Sequence, residues 1–353
     1  MNASAGGMNT WAIIGLTIGI SVAGGFVVDA AGLPAGWLMG GALAVAIAAL
    51  AGLPVGMPPW LRDATFVFTG VSMGANVARD SLALMAQWPV TLAALLVELI
   101  LIIALTGYML RRAFGIDRGT AYLSSFPGHL SFVMGIAAAG VGDPRQITII
   151  QVIRILMLTA AVPIGALFLP VGPYASAADA SWIGWPSLVG VTLVCGAVGF
   201  VFTRLRMPAG YALGAMAAAM TAKFTGFFDG VMPPFLLAAT FVLVGALIGS
   251  RFAGITPKEF ASAAVGGLIA TVLTVAITTI VCIAAAPLVD MPFGQIWLGL
   301  APGGLESMGA LGIALGFDTA FIAAHHVARL LMLTVAIPLV TLLVREPKIL
   351  PRE

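Results

Sequence analysis

The chain has 353 residues, of which 61% are hydrophobic and only 8% are charged, and its mean hydropathy is +1.10. This balance excludes a water-soluble globular domain, because too little polar surface would remain to face water, and it predicts an all-α polytopic membrane protein. The formal net charge is only +2 and the basic residues are scattered, so nothing favours a nucleic-acid partner.

Apolar stretches of about 20 residues, the length that spans a bilayer, recur along the chain. The first half contains six of them, at 11–29, 34–53, 59–78, 84–110, 119–141 and 145–169. The second half contains six more, at 182–203, 208–224, 233–250, 259–286, 293–316 and 319–344. No Lys or Arg precedes the first stretch, so we interpret it as a retained helix and not as a signal peptide.

The two halves align in a nearly constant register. Pro127-Gly128 aligns with Pro302-Gly303 at a shift of 175 residues, and the same shift relates Arg154 to Arg329. A register of this length predicts an internal duplication. The repeats are predicted at 1–173 and 174–353, and together they form one transmembrane domain.

The charges of equivalent loops predict that the repeats are inverted. Arg111, Arg112 and Arg118 precede the first Pro-Gly element, whereas the equivalent loop, 284–293, has no basic residue. Because basic residues favour the cytoplasmic side, equivalent loops should lie on opposite sides of the membrane. About ten transmembrane helices, two Pro-Gly re-entrant hairpins or broken helices, and two cytoplasmic termini satisfy this condition. The alternative is that another segment fails to cross.

A Pro-Gly element interrupts one apolar segment in each half. The breaks lie at 124–131 and 300–308, and their central residues are Pro127, Gly128, His129, Pro302, Gly303 and Gly304. Such a break leaves backbone groups without partners, which membranes tolerate only where protein or a water-filled cavity covers them. We therefore predict that the two breaks face each other near the bilayer midplane and form a transport site.

Polar residues follow each break at helical spacing. They are Gln151, Arg154, His325, His326 and Arg329. Guanidinium groups suit carboxylate or phosphate oxygens, and helix N-termini at the breaks add partial positive charge. We therefore predict a binding site for a small anionic substrate, formed by the central residues of the breaks with Ser131, Gln151, Arg154, His326 and Arg329. The alternative is that each Arg only braces the break by donating to its carbonyls.

Groups able to exchange ions suggest how transport would be coupled. We predict that Glu306, Ser307 and His325 take part in coupling to Na+ or H+, because ionisable groups within membrane segments are functional candidates. For His325 the alternative is a packing role. Glu98 stands alone in an apolar helix and is either a protonated carboxyl or paired across a helix interface. No metal site and no other cofactor is predicted.

Several of these motifs resemble a family of bacterial membrane proteins called AbrB duplication proteins, which are often labelled transcriptional regulators or ammonia monooxygenases. The resemblance rests on Gly142-Asp143-Pro144-Arg145, Gly316-Phe317-Asp318 and the His-His-x-x-Arg motif at 325–329. It implies a multi-pass protein of the bacterial inner membrane, distantly similar to inverted-repeat cation/proton antiporters and anion transporters of elevator type. The chain departs from the family in having His129 where a second glycine is usual.

Three classes of function stay open. The favoured one is a secondary active transporter of a small carboxylate-type metabolite, with the lipid bilayer as surroundings and a homodimer as one possible assembly. The alternative is a membrane-embedded regulator of gene expression, acting directly or through metabolite levels, although the longest hydrophilic stretch is only 345–353. An oxidase is disfavoured, because three histidines and two cysteines in apolar runs suit no copper or iron site.

Overall fold

The structure is a computed structural model that describes residues 9–77, 85–166 and 181–344. Within these ranges the regular secondary structure is helical, apart from one isolated bridge between Trp182 and Val231. The prediction of an all-α polytopic membrane protein is confirmed. The predicted repeat boundary at 173/174 and the tail 345–353 lie outside the described residues. So do the ends of the predicted segments 59–78 and 145–169 and the first residue of 84–110.

The helices of the first half are α1 (Thr10–Ala30), α2 (Gly36–Leu50), α3 (Pro59–Ala75), α4 (Trp88–Leu101), α5 (Gly107–Phe114), α6 (Arg118–Ser125), α7 (Leu130–Ala138) and α8 (Pro144–Ala166). The π-helical turn Ile102–Thr106 joins α4 to α5. The helices of the second half are α9 (Trp185–Arg204), α10 (Gly210–Phe224), α11 (Pro234–Ser250), α12 (Pro257–Ala285), α13 (Phe293–Leu300), α14 (Leu305–Leu315) and α15 (Thr319–Val344). The order of elements is the same in both halves, except that α12 replaces α4, the π turn and α5.

Local signals explain where these helices begin. Ala35 and Ala209 occupy equivalent places before α2 and α10, and both take left-handed φ angles, of 53° and 51°. Each alanine is followed by a glycine whose missing Cβ lets the turn pack against the preceding helix. Asp143 and Asp318 accept from backbone amides at the starts of α8 and α15, as expected of N-capping residues.

Six helical stretches in the described part of the chain are long and apolar enough to cross a membrane. They are Thr10–Ala30, Met85–Phe114, Pro144–Gly165, Trp185–Arg204, Pro257–Leu288 and Thr319–Val344. Shorter apolar helices include α2, α11 and α14. A multi-pass membrane protein follows from these spans, whereas the count of ten crossings and the cytoplasmic termini stay predictions.

The helices pack in two groups, and each group draws on both halves of the chain. The first helix group consists of α1–α3 with α9–α11, and the second helix group consists of α4–α8 with α12–α15. The pairing is reciprocal, because α2 packs against α11 while its equivalent α10 packs against α3. In the same way α8 packs against α12, and α15 against α4. Repeats related by a two-fold axis pack in this way, whereas their inverted orientation stays a prediction.

Glycines allow close approach within the first helix group. A Cβ on Gly70 would lie 2.4 Å from the carbonyl oxygen of Ala212 in α10, and one on Gly249 would lie 2.7 Å from that of Ala42 in α2. Gly74 and Gly245, four residues away from these two, make similar approaches, so small residues four apart mark close helix packing here. Where α1 crosses α2, a Cβ on Gly24 would lie 2.4 Å from the carbonyl oxygen of Gly40.

Replacing Gly24 with Ala should destabilise the protein by about 1–3 kcal/mol, because the added Cβ overpacks the crossing of α1 and α2. Gly19→Ala is the matched control on the same helix, since a Cβ there meets no atom within 4 Å. Thermal unfolding of the purified variants in detergent measures the difference. Equal unfolding temperatures for Gly24→Ala and the wild type would contradict the close approach of the two helices.

Candidate functional site

Both Pro-Gly elements interrupt the chain at equivalent places. The first separates α6 from α7, and the second separates α13 from α14. Within each break one amide donates to the carbonyl two residues earlier, Gly128 to Phe126 at 3.0 Å and Gly303 to Ala301 at 2.8 Å. The predicted segments 119–141 and 293–316 are therefore each two short helices joined by a tight turn, and the turn leaves other carbonyls without helical partners.

A buried arginine binds carbonyl oxygens of each break. Arg154 donates through Nη2 to the carbonyl of Phe126 at 3.0 Å, and Arg329 donates through Nη1 and Nη2 to the carbonyls of Ala301 and Gly303. Phe126 and Ala301 are themselves related by the shift of 175 residues. The geometry supports the bracing role for both arginines. The Nε atoms of both are buried and have no hydrogen-bond partner in the described part of the chain.

The residues that precede each arginine by three positions differ in their contacts. Gln151 donates through Nε2 to the carbonyl of Leu123 in α6, at 3.3 Å. Its equivalent His326 donates through Nδ1 to the carbonyl of Ile322 at 2.9 Å. The Nε2 atom of His326 is buried without a partner among the described residues. In the neutral ring with Nδ1 protonated, this nitrogen is a hydrogen-bond acceptor.

His325 is fixed between α15 and α4. Its Nδ1 donates to the carbonyl of Phe321 at 2.9 Å, and its Nε2 lies 2.7 Å from the hydroxyl oxygen of Thr91. The imidazole also lies against the ring of Phe321, with 3.9 Å between the centroids, and near that of Trp88. These contacts support the packing role for His325.

Glu306 and Ser307 lie in the first turn of α14. Glu306 accepts from Nη2 of Arg251 at 2.7 Å, and the exposed fractions of the two side chains are 12% and 27%. Arg251 is the residue that follows α11, so this ion pair connects the two helix groups. Ser307 donates to the carbonyl of Gly304 at 3.0 Å, which satisfies one more backbone acceptor of the second break.

The tip of the first break contacts α15. His129 begins α7 with a left-handed φ of 55°, a conformation that costs a non-glycine residue about 1–3 kcal/mol. Its Nε2 lies 3.1 Å from the hydroxyl oxygen of Thr334, and a Cβ on Gly128 would lie 3.4 Å from Leu330. Pro127 is buried, and so is Pro302 in the second break. The side chain of Ser131 lies outside the described part of the structure.

Charged groups from both halves come within electrostatic range of one another. Arg329 interacts in this way with Arg154 from the first half, with His326 on its own helix, and with the carboxylates of Glu98 and Glu306. A cavity of about 540 Å³ lies nearby, between α10 and α15, but apolar side chains such as Met216, Met220 and Val327 line it. The assignment of these residues to substrate or ion binding stays a prediction.

Three polar residues that contact His325, Glu98 or Glu306 were not predicted from the sequence. Thr91 contacts His325, Thr278 donates to the carboxylate of Glu98, and Arg251 pairs with Glu306. Thr91 precedes Glu98 by seven residues, which is two turns of helix, so its place on the same face of α4 was readable from the spacing. The partners Thr278 and Arg251 lie far away in the sequence and gave no comparable signal. No three His, Cys, Asp or Glu side chains of the described chain cluster as a metal site requires.

Comparison with known proteins shows which family the chain matches. The family model described as "Transition state regulatory protein AbrB" matches residues 37–345. The chain is 27% identical over 308 residues to "Putative regulator AbrB" of Escherichia coli (strain K12), covering 84% of this chain and 86% of the relative. It is 24% identical over 358 residues to "Uncharacterized protein YhjN" of Bacillus subtilis (strain 168), covering 91% of this chain and 90% of the relative.

Replacing Arg329 with Ala should destabilise the protein by about 3–6 kcal/mol, because two charge-assisted hydrogen bonds of about 1.5–3 kcal/mol each are lost. Arg154→Ala removes one such bond and should cost about half as much. The exposed Arg204→Ala is the control and should change stability little. Thermal unfolding in detergent ranks the variants. A stable Arg329→Ala protein, or a greater loss in Arg154→Ala, would argue against bracing.

Proposed function

The chain belongs to the AbrB family of membrane proteins, and on that premise we propose that it is a secondary active transporter of a small anionic metabolite. The observation that carries this proposal is the pair of interrupted helices, each held by a buried arginine at an equivalent position. Interrupted helices within a membrane bind substrates and ions in many transporters, because their free backbone groups and helix ends replace water.

The charges around the breaks favour an anionic, carboxylate-type substrate. Arg154 and Arg329 lie within electrostatic range of each other, and each keeps a buried Nε–H without a partner in the described chain. The N-termini of α7 and α14, at the same breaks, add partial positive charge. We assign to this substrate the central residues of both breaks, with Ser131, Gln151, Arg154, His326 and Arg329. An arginine can brace a break and still present its remaining donor to a ligand.

The two helix groups suit an elevator mechanism of alternating access. Both breaks belong to the second helix group, so sliding this group against the first would carry the whole site across the membrane. The face of α15 that lines the apolar cavity beside α10 carries Ala320, Ala323, Ala324 and Ala328. Small apolar side chains offer little resistance to sliding, because no hydrogen bond is broken as they move.

Two polar contacts hold the groups together at the start of α14 and α15. They are the ion pair of Arg251 with Glu306 and the hydrogen bond from Thr319 to the carbonyl of Met73, at 2.7 Å each. In the proposed cycle, binding of Na+ or H+ at Glu306, with Ser307 beside it in α14, would compete with Arg251. Occupation of the ion site would thereby release the second helix group. The predicted part of His325 in coupling rests on the sequence, because both of its ring nitrogens already contact Phe321 and Thr91.

The proposed surroundings follow from the family and its bacterial relatives. We place the protein in the bacterial inner membrane with both termini in the cytoplasm. Large apolar side chains are exposed on α1 and α9, among them Trp11, Phe26, Trp185 and Leu193. They suit contact with lipid, and a homodimer formed by the first helix group would cover part of them.

A second candidate function is regulation of gene expression, which the printed name of the Escherichia coli relative favours. The protein would act directly on a partner or indirectly through the level of a transported metabolite. Direct regulation would survive in a folded variant that no longer transports, whereas indirect regulation would be lost together with transport.

Purified protein in liposomes should take up at least one small carboxylate when a pH or Na+ gradient is imposed, because only an ion gradient drives such a carrier. A panel of radiolabelled mono- and dicarboxylates, tested under each gradient separately, measures the uptake. Protein-free liposomes and collapsed gradients are the controls. Absence of uptake across the panel under both gradients would count decisively against the proposal.

Replacing Glu306 with Gln should loosen the contact between the helix groups, because Arg251 loses its ionic partner. We expect about 10-fold faster amide hydrogen exchange at the start of α14, equivalent to about 1.4 kcal/mol. Glu259→Gln is the matched control, since its ion pair with Arg145 joins α12 to α8 within one group. Unchanged exchange in Glu306→Gln, or equal acceleration in the control, would refute the role of the ion pair.

A further inference from the structure

We infer that Glu98 is a proton-binding site, formed by α4 and α12 inside the second helix group. Glu98 is not among the residues assigned above to substrate or ion binding. Only the role of this site in coupling rests on the proposed transport function.

The carboxylate of Glu98 is buried and only half satisfied. The side chain is 1% exposed, and its Oε1 accepts a hydrogen bond from the hydroxyl of Thr278. Its Oε2 is also buried and has no hydrogen-bond partner among the described residues. No Lys or Arg of the described chain lies within ion-pair distance of it. One acceptor position therefore stays open in the interior of the helix group.

Few charged or titratable groups face Glu98 from the helices packed against α4. From α15 Arg329 lies within electrostatic range, and from α12 the thiol of Cys282 does. His325, also on α15, bonds to Thr91, two turns away from Glu98 on α4. The sequence of α13 contains no titratable side chain. The neighbours on α4 itself include the buried apolar Leu95 and Leu99.

A proton is the ligand that this environment suits best. An ionised carboxylate without water or a close partner is costly, and a proton removes that charge by forming an O–H bond at Glu98. A sodium ion would need several oxygen ligands, whereas within the described residues the only oxygen bonded to Glu98 is the hydroxyl of Thr278. When the proton leaves to water, Arg329 is the positive charge that stabilises the carboxylate.

The position of Arg329 connects this site to the second break. The same guanidinium that lies within electrostatic range of Glu98 also donates to the carbonyls of Ala301 and Gly303. While Glu98 is protonated and neutral, Arg329 interacts with these carbonyls alone. When Glu98 loses the proton, its negative charge attracts the guanidinium towards α4. The charge of Glu98 can therefore change how firmly the second break is held, which is what coupling of a proton to the substrate site requires.

Infrared difference spectroscopy of the purified protein in lipid nanodiscs, recorded between two pH values, tests the site without any substrate. Glu98→Gln should abolish the C=O stretching band of a buried carboxylic acid. Thr278→Val should shift the frequency of that band, because it loses the hydrogen bond. The matched Glu259→Gln, at an exposed carboxylate, should leave the band intact. Thermal unfolding confirms that each variant is folded.

Two spectroscopic results would overturn the inference: no such band in the folded wild type at any pH tested, or a band that persists in Glu98→Gln. Uptake experiments then judge the coupling role separately. If carboxylate uptake occurs, Glu98→Gln should retain substrate exchange but lose accumulation driven by a pH gradient. Undiminished accumulation in this variant would refute coupling. A spectroscopic band that depends on Glu98, without uptake of any substrate, would leave the site standing and reject the transporter.

Discussion

The structure depends on the hydrogen bonds between two buried arginines and the backbone of the interrupted helices. In hydrocarbon a backbone carbonyl without a partner costs several kcal/mol. Arg154 and Arg329 supply that partner from the helix that follows each break. The guanidinium suits this task, because it stays charged and offers five donors in one plane. The breaks can therefore exist inside the protein.

The two halves share this bracing but differ in the charges around it. At equivalent positions the first half has Asn76 and Ser131 where the second has Arg251 and Glu306. Glu98 of the first half corresponds to Leu273 of the second, an apolar residue. The predicted duplication would account for the common framework, whereas the ion pair belongs to the second half and the buried carboxylate to the first.

In the proposed elevator, the first helix group would be the stable frame and the second would move. Glycines bring α1 close to α2, and they bring α3 and α11 close to helices of the opposite half, so the first helix group is tightly packed. The surface of the first helix group that contacts the second carries mainly apolar side chains. Of the polar contacts described above, only those of Met73 and Arg251 join the two groups. A tightly packed frame and a weakly attached moving part are compatible with the proposed elevator.

The sequence by itself determined the fold class, the long apolar helices and both breaks, because these depend on hydropathy, helical length and the inability of proline and glycine to continue a helix. It also indicated Arg154 and Arg329, since a charge in an apolar segment is conspicuous. Only the tertiary structure decided what these residues contact. Thr278 lies 180 residues from Glu98, and Arg251 lies 55 residues from Glu306. Periodicity cannot reveal such partners, because it describes one helix at a time, whereas a hydrogen bond between helices depends on how the whole chain packs.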